Sequence, residues 1–197
     1  MNQTDLTEQL KTIRSMIEKT RKETAESGNL LIAIGLFSAL SVLVMGLLEM
    51  SGHTEWNWPI LIVTVLFNGT AGFLIARKAD KNRQVVTYTR TVFWNLWMMS
   101  GFAALILVFV FPLLHVYPIS AVPVLIAILM GVGVYVSGII FESKPVSFTA
   151  LSWWLAAILL VLTQNPYRFL IMTAAILIGW VLPGIFLRRE TQQKATL

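Results

Sequence analysis

Asn29 to Met50 reads NLLIAIGLFSALSVLVMGLLEM, twenty-two residues with one carboxylate, at its far end, and no lysine, arginine or histidine. A helix rises about 1.5 Å per residue and the hydrocarbon of a bilayer is roughly 30 Å thick, so about 20 apolar residues cross it once. At that depth each backbone amide must be satisfied within its own segment, which makes the stretch a helix and not a strand. The charged residues ahead of it outnumber those of a secretory signal's n-region, and no small-x-small cleavage pattern follows directly. This span is expected to stay as an anchor.

Working outward, five more runs of the same kind follow, at about 59–76, 91–116, 119–141, 146–163 and 166–187. Pro59, Pro145 and Pro166 stand at the starts of their spans, where a missing N–H costs nothing. Pro112 and Pro183 lie near the ends of the third and sixth, where they should bend or end the regular helix. The expected fold is all-α: a six-span membrane bundle in three hairpins, preceded by a cytoplasmic amphipathic helix (1–28) and followed by a short tail (188–197). Composition agrees, with 56% hydrophobic and 13% charged residues and a mean hydropathy of +0.73, against about 25% charged in soluble domains.

The gaps carry the orientation. Lys11, Arg14, Lys19, Arg21 and Lys22 precede the first span, and the next gap, 51–58, has no lysine or arginine. Arg77, Lys78, Lys81, Arg83 and Arg90 then flank the second connection, Lys144 the fourth, and Arg188, Arg189 and Lys194 the end. That places fourteen of the fifteen basic residues on one side, with Arg168 alone on the other. By the positive-inside rule both termini are cytoplasmic, and a bacterial inner membrane fits best. The net charge of +5 is then a topology signal facing anionic lipid, and no nucleic-acid partner is expected. Trp56, Trp58, Tyr117 and Tyr167 are expected as aromatic anchors at the outer boundary, and Trp94, Trp97, Trp153 and Trp154 at the inner one.

Few residues offer chemistry. The chain has no cysteine, which excludes disulfides, thiolate metal sites and cysteine nucleophiles. It has no H-E-x-x-H, no paired intramembrane aspartate, no G-x-S-x-G and no phosphate-cradling glycine loop. No carboxylate or histidine lies mid-span, so proton-coupled transport is disfavoured. Glu49, His53, Glu55 and His115 are a conceivable metal set near the outer boundary, but they lack helical metal-ligand spacing, and no metal or cofactor is assigned. The glycines of 131–138 and Gly35 with Ala39 read as close-packing positions.

Two features remain. Asn68, with Thr64 on the same helical face, is the strongly polar group nearest a span's midpoint; it either holds two helices together or lines a solute path. Leu6, Leu10, Ile13 and Ile17 recur at a/d spacing over two heptads, a seam for a second copy or a cytoplasmic protein partner, or else an interfacial helix lying on lipid.

Ile13 to Leu40, IRSMIEKTRKETAESGNLLIAIGLFSAL, resembles the N-terminal signature of small uncharacterised bacterial six-span inner-membrane proteins, in which a basic helix of the form I-R-x-M-x-E-[KR]-[ST] enters the first span. Thr24-Ala25-Glu26 is more acidic here than that pattern. The resemblance implies the layout and carries no functional residue with it. The expected function is therefore non-enzymatic: association through the N-terminal helix. The alternatives are a small facilitator or transporter of an uncharged or apolar solute with Asn68 in its path, and a lipid-acting or metal-dependent membrane enzyme.

Overall fold

The computed structural model describes residues 28–81, 88–163 and 166–193, and six of its helices are long and apolar enough to cross a membrane. We number them α1 (Gly28–Met50), α2 (Asn57–Lys81), α3 (Thr91–Leu113), α4 (Val122–Ile140), α5 (Lys144–Leu162) and α6 (Tyr167–Arg189). There is no strand among the described residues. The helix of α2 outruns its apolar stretch by a turn of basic residues up to Lys81. The helix of the third span includes Tyr88, three residues before its apolar run.

Two spans change winding near their ends, and proline explains both. α3 passes through a π-helical turn, Ile106–Val110, before a last α turn, Phe111–Leu113. α6 passes through Leu177–Val181 into Leu182–Gln193. Pro112 and Pro183 each stand two residues beyond a π turn whose central residue, Val108 or Gly179, is the one four positions before the proline. An α-helix would need that proline's missing N–H for the carbonyl of Val108 or Gly179, and the ring would collide with it. Widening the turn relieves the collision and lets the helix run on. The bend expected at these prolines is thus a local change of winding.

Three helices end alike. After α1, Gly52 N–H donates to Glu49 O (3.3 Å) and His53 N–H to Leu48 O (2.9 Å). After α3, His115 and Val116 bond back to Pro112 and Phe111 (3.1 and 3.0 Å), and after α4, Glu142 and Ser143 bond back to Ile139 and Gly138 (3.1 and 2.9 Å). This is the Schellman ending, which needs a left-handed residue. Gly52 (φ 82°) takes it freely, whereas His115 (56°) and Glu142 (53°) adopt it with a Cβ, at about 1 kcal/mol each.

Packing runs around the bundle. α1 and α6 lie antiparallel along a glycine seam. A Cβ on Gly28 would sit 2.8 Å from the Gly184 carbonyl, one on Gly35 2.9 Å from Val181, and one on Gly46 2.7 Å from Phe169. These glycines are about two and three turns apart, so they share one face of α1. α4 and α5 also pack closely: Gly138 abuts Ser147, and Gly131 abuts the Trp154 indole. α2 meets α1 through Phe37 and Phe67 (3.9 Å between ring centroids) and meets α3 through Trp58 and Phe109 (6.3 Å).

The core gathers Ala39 of α1, Ala127, Met130 and Val134 of α4, Ala150, Trp153 and Leu160 of α5, and Ala175 and Ile176 of α6. Most of α2 and α3 faces outward, with Val63, Leu66, Phe73, Met98 and Phe102 among the exposed apolar side chains. On a membrane-spanning bundle that surface is lipid-facing and needs no further cover.

Candidate functional site

Polar side chains within the spans are where chemistry could occur, and most are spent on backbone. The hydroxyls of Ser41, Thr64, Thr70 and Thr173 donate to the carbonyls of Phe37, Ile60, Leu66 and Phe169, four residues earlier, at 2.7 to 2.9 Å. A hydroxyl in hydrocarbon satisfies itself this way without a second helix. Thr64 therefore shares Asn68's face but not its bond. The Asn68 amide instead crosses to Ser38 of α1, donating to its Oγ over 2.9 Å. Ser38 is buried, and the other amide atom, Asn68 Oδ1, is buried with no protein partner.

A second polar group lies among aromatics. Trp97 Nε1 donates to Ser137 Oγ (3.1 Å), which donates in turn to Gly133 O (2.7 Å), linking α3 to α4. Trp97 packs edge-on to Trp180 of α6 (6.0 Å between centroids), and Trp180 packs against Trp153 of α5 (5.6 Å). Phe93 continues the cluster from Trp97 to Phe141. Trp153 is 1% exposed and abuts Gly179, the centre of the second π turn. The Nε1 atoms of Trp153 and Trp180 are buried without a hydrogen-bond partner.

This corrects part of the expected inner belt. Trp153 is core because Gly179 leaves room for its indole where another residue would place a Cβ, and Trp97 is turned to the bundle interior by its bond to Ser137. Trp153 lies midway along α5, too deep for an interfacial anchor, and the facing Gly179 on another helix seats it in the core. Trp56, Trp58 and Tyr167 are exposed, whereas the Tyr117 hydroxyl turns back to donate to Leu107 O, in the first π turn.

Arg168 is the basic residue that stands apart from the other fourteen. Its Nε donates to Thr163 O (2.8 Å) and Leu160 O (3.0 Å), its Nη2 to Leu160 O (2.7 Å) and its Nη1 to Ser120 O (3.2 Å). The last carbonyls of α5 have no intrahelical donor, and a guanidinium supplies several in one plane. One side chain of α6 thus caps α5 and ties down the entry to α4.

Glu49, His53, Glu55 and His115 do not form a metal set: among the described residues no group of three or more His, Cys, Asp or Glu is placed to hold an ion. Glu49 accepts from Asn57 Nδ2 (3.0 Å), His53 Nδ1 lies 3.1 Å from Ser51 O, and His115 holds the left-handed position after α3. The seam of Leu6, Leu10, Ile13 and Ile17 lies outside the described residues. Comparisons with protein-family models, with curated proteins and with solved structures find no match for the chain.

Proposed function

We propose that this chain is a non-enzymatic inner-membrane protein of bacterial type that works by association, with the seam of Leu6, Leu10, Ile13 and Ile17 as its contact surface toward a second copy or a cytoplasmic protein. What supports the reading is the use made of Asn68. The polar group best placed to meet a solute spends its amide holding α2 to α1. With the hydroxyls turned to their own backbones, the bundle serves as a scaffold that presents its cytoplasmic segments. Deleting residues 2–26 is expected to convert the detergent-solubilised protein from an oligomer, or a complex with a co-purifying partner, to a free monomer by light scattering. An unchanged mass overturns the reading.

The proposal includes three hairpins with both termini in the cytoplasm, following the basic residues. The chain lacks cysteine, so single-cysteine variants label without background. Thr54→Cys should react with an impermeant maleimide on intact cells, and Ala195→Cys only after permeabilisation. The reverse pattern would invert the topology.

A second reading, facilitated passage of an uncharged or apolar solute, rests on one atom, the unpartnered Asn68 Oδ1. Asn68→Leu separates the two. An interhelical hydrogen bond in a membrane averages about 0.6 kcal/mol, so the association reading expects a stability loss of that order with assembly intact. A severalfold loss of solute flux in liposomes at unchanged stability would favour transport instead.

A further inference from the structure

Where α3 and α4 meet on the outer face of the bundle, a groove of about 560 Å³ opens sideways between them. Leu96, Met99 and Ser100 of α3 and Val136 of α4 line it, Ala103 and Leu129 line its deep end, nearer the middle of the spans, and the polar Asn95 lies toward the start of α3. From Val92 to Ala103 the groove follows α3 for about 16 Å at 1.5 Å per residue. One leaflet contributes roughly 15 Å of hydrocarbon, so the groove runs from the membrane boundary to near the midplane.

Basic residues gather on the side of the membrane from which it opens. Arg77, exposed beyond the apolar stretch of α2, and Lys144, exposed at the start of α5, stand at the end of the bundle where α3 begins and α4 finishes. The connection at the other end of α3 and α4, around Tyr117 and Pro118, has no lysine or arginine of its own, and the Arg168 guanidinium that reaches Ser120 there is spent on backbone carbonyls. Asn95 is itself exposed, a polar side chain that would meet hydrocarbon unless something with hydrogen-bonding capacity sits beside it.

We infer that the groove holds one acyl chain of an anionic phospholipid from the leaflet on the basic side, with its ester region at Asn95 and its phosphate toward the end of the bundle that carries Arg77 and Lys144. The apolar walls take the chain, the amide takes the ester carbonyl, and surface potential supplies the headgroup preference. This lipid would be held independently of any protein association.

Native mass spectrometry of the full chain in detergent, with phosphatidylglycerol or phosphatidylethanolamine added, tests it. The expected result is one retained phosphatidylglycerol, favoured severalfold over phosphatidylethanolamine. Ala103→Phe, filling the deep end, should lower retention about tenfold, and Asn95→Leu should lower it with little change in unfolding midpoint. Met98→Phe, on an exposed position outside the groove, should leave it unchanged. If Ala103→Phe fails to fold, Met99→Trp obstructs the groove from an exposed position and is read in the same way. Equal retention of the two lipids, or undiminished retention in a folded groove-filling variant, overturns the inference.

Discussion

Replacing Arg168 by methionine is expected to lower the unfolding free energy by about 3 kcal/mol. Methionine keeps much of the side chain's length but donates nothing, and the carbonyls of Leu160, Thr163 and Ser120 each lose a donor. A buried acceptor left unsatisfied costs about 1 to 3 kcal/mol. Leu160 is 0% exposed, so little water can reach its carbonyl past its own side chain, whereas Ser120 is exposed and recovers most of its loss. Arg168→Lys should recover only part of the difference, because one ammonium cannot reproduce a planar fork. Denaturant titration in mild detergent measures this. A change under about 0.5 kcal/mol in Arg168→Met would mean that the end of α5 is capped by water.

Gly179→Val is expected to be more damaging still, with loss of the monodisperse species on size exclusion or a destabilisation of at least about 3 kcal/mol. A Cβ at Gly179 falls on the Trp153 indole, and that ring has nowhere to move, being 1% exposed and packed against Trp180. Gly69 and Gly101 are the controls: nothing lies within 4 Å of a Cβ at either. Alanine there should be neutral or stabilising by up to about 1 kcal/mol through helix propensity. If Gly179→Val behaved like Gly69→Ala, the aromatic core would be looser than its geometry indicates.

The spans were legible in the sequence because hydrophobic length is a local property: Asn29 to Met50 needs no knowledge of its neighbours. The positions of Pro112 and Pro183 were legible too. Their outcome was not, since whether a proline breaks, kinks or widens a helix depends on what packs around it. His115 and Glu142 show the opposite failure. Both are residue types that suggest chemistry, yet each occupies the left-handed position of a helix ending where glycine would be the usual signal. Arg168 was visible as an exception to the charge pattern, but its partners come from the ends of two other spans. The aromatic core depends on pairings such as Gly179 with Trp153 and Ser137 with Trp97, and no spacing within a single helix encodes them.

The glycine seam between α1 and α6 has a consequence for biosynthesis. Of the six spans, the first is made before all the others and its mate after them. At roughly 5 to 20 residues per second, on the order of ten to thirty seconds separate the synthesis of Gly28 from that of Gly184. Throughout that interval Gly28, Gly35 and Gly46 form a furrow on a lone helix, able to accept any passing helix with a smooth face. Closing the bundle is therefore a race that the chain's own sixth span enters last.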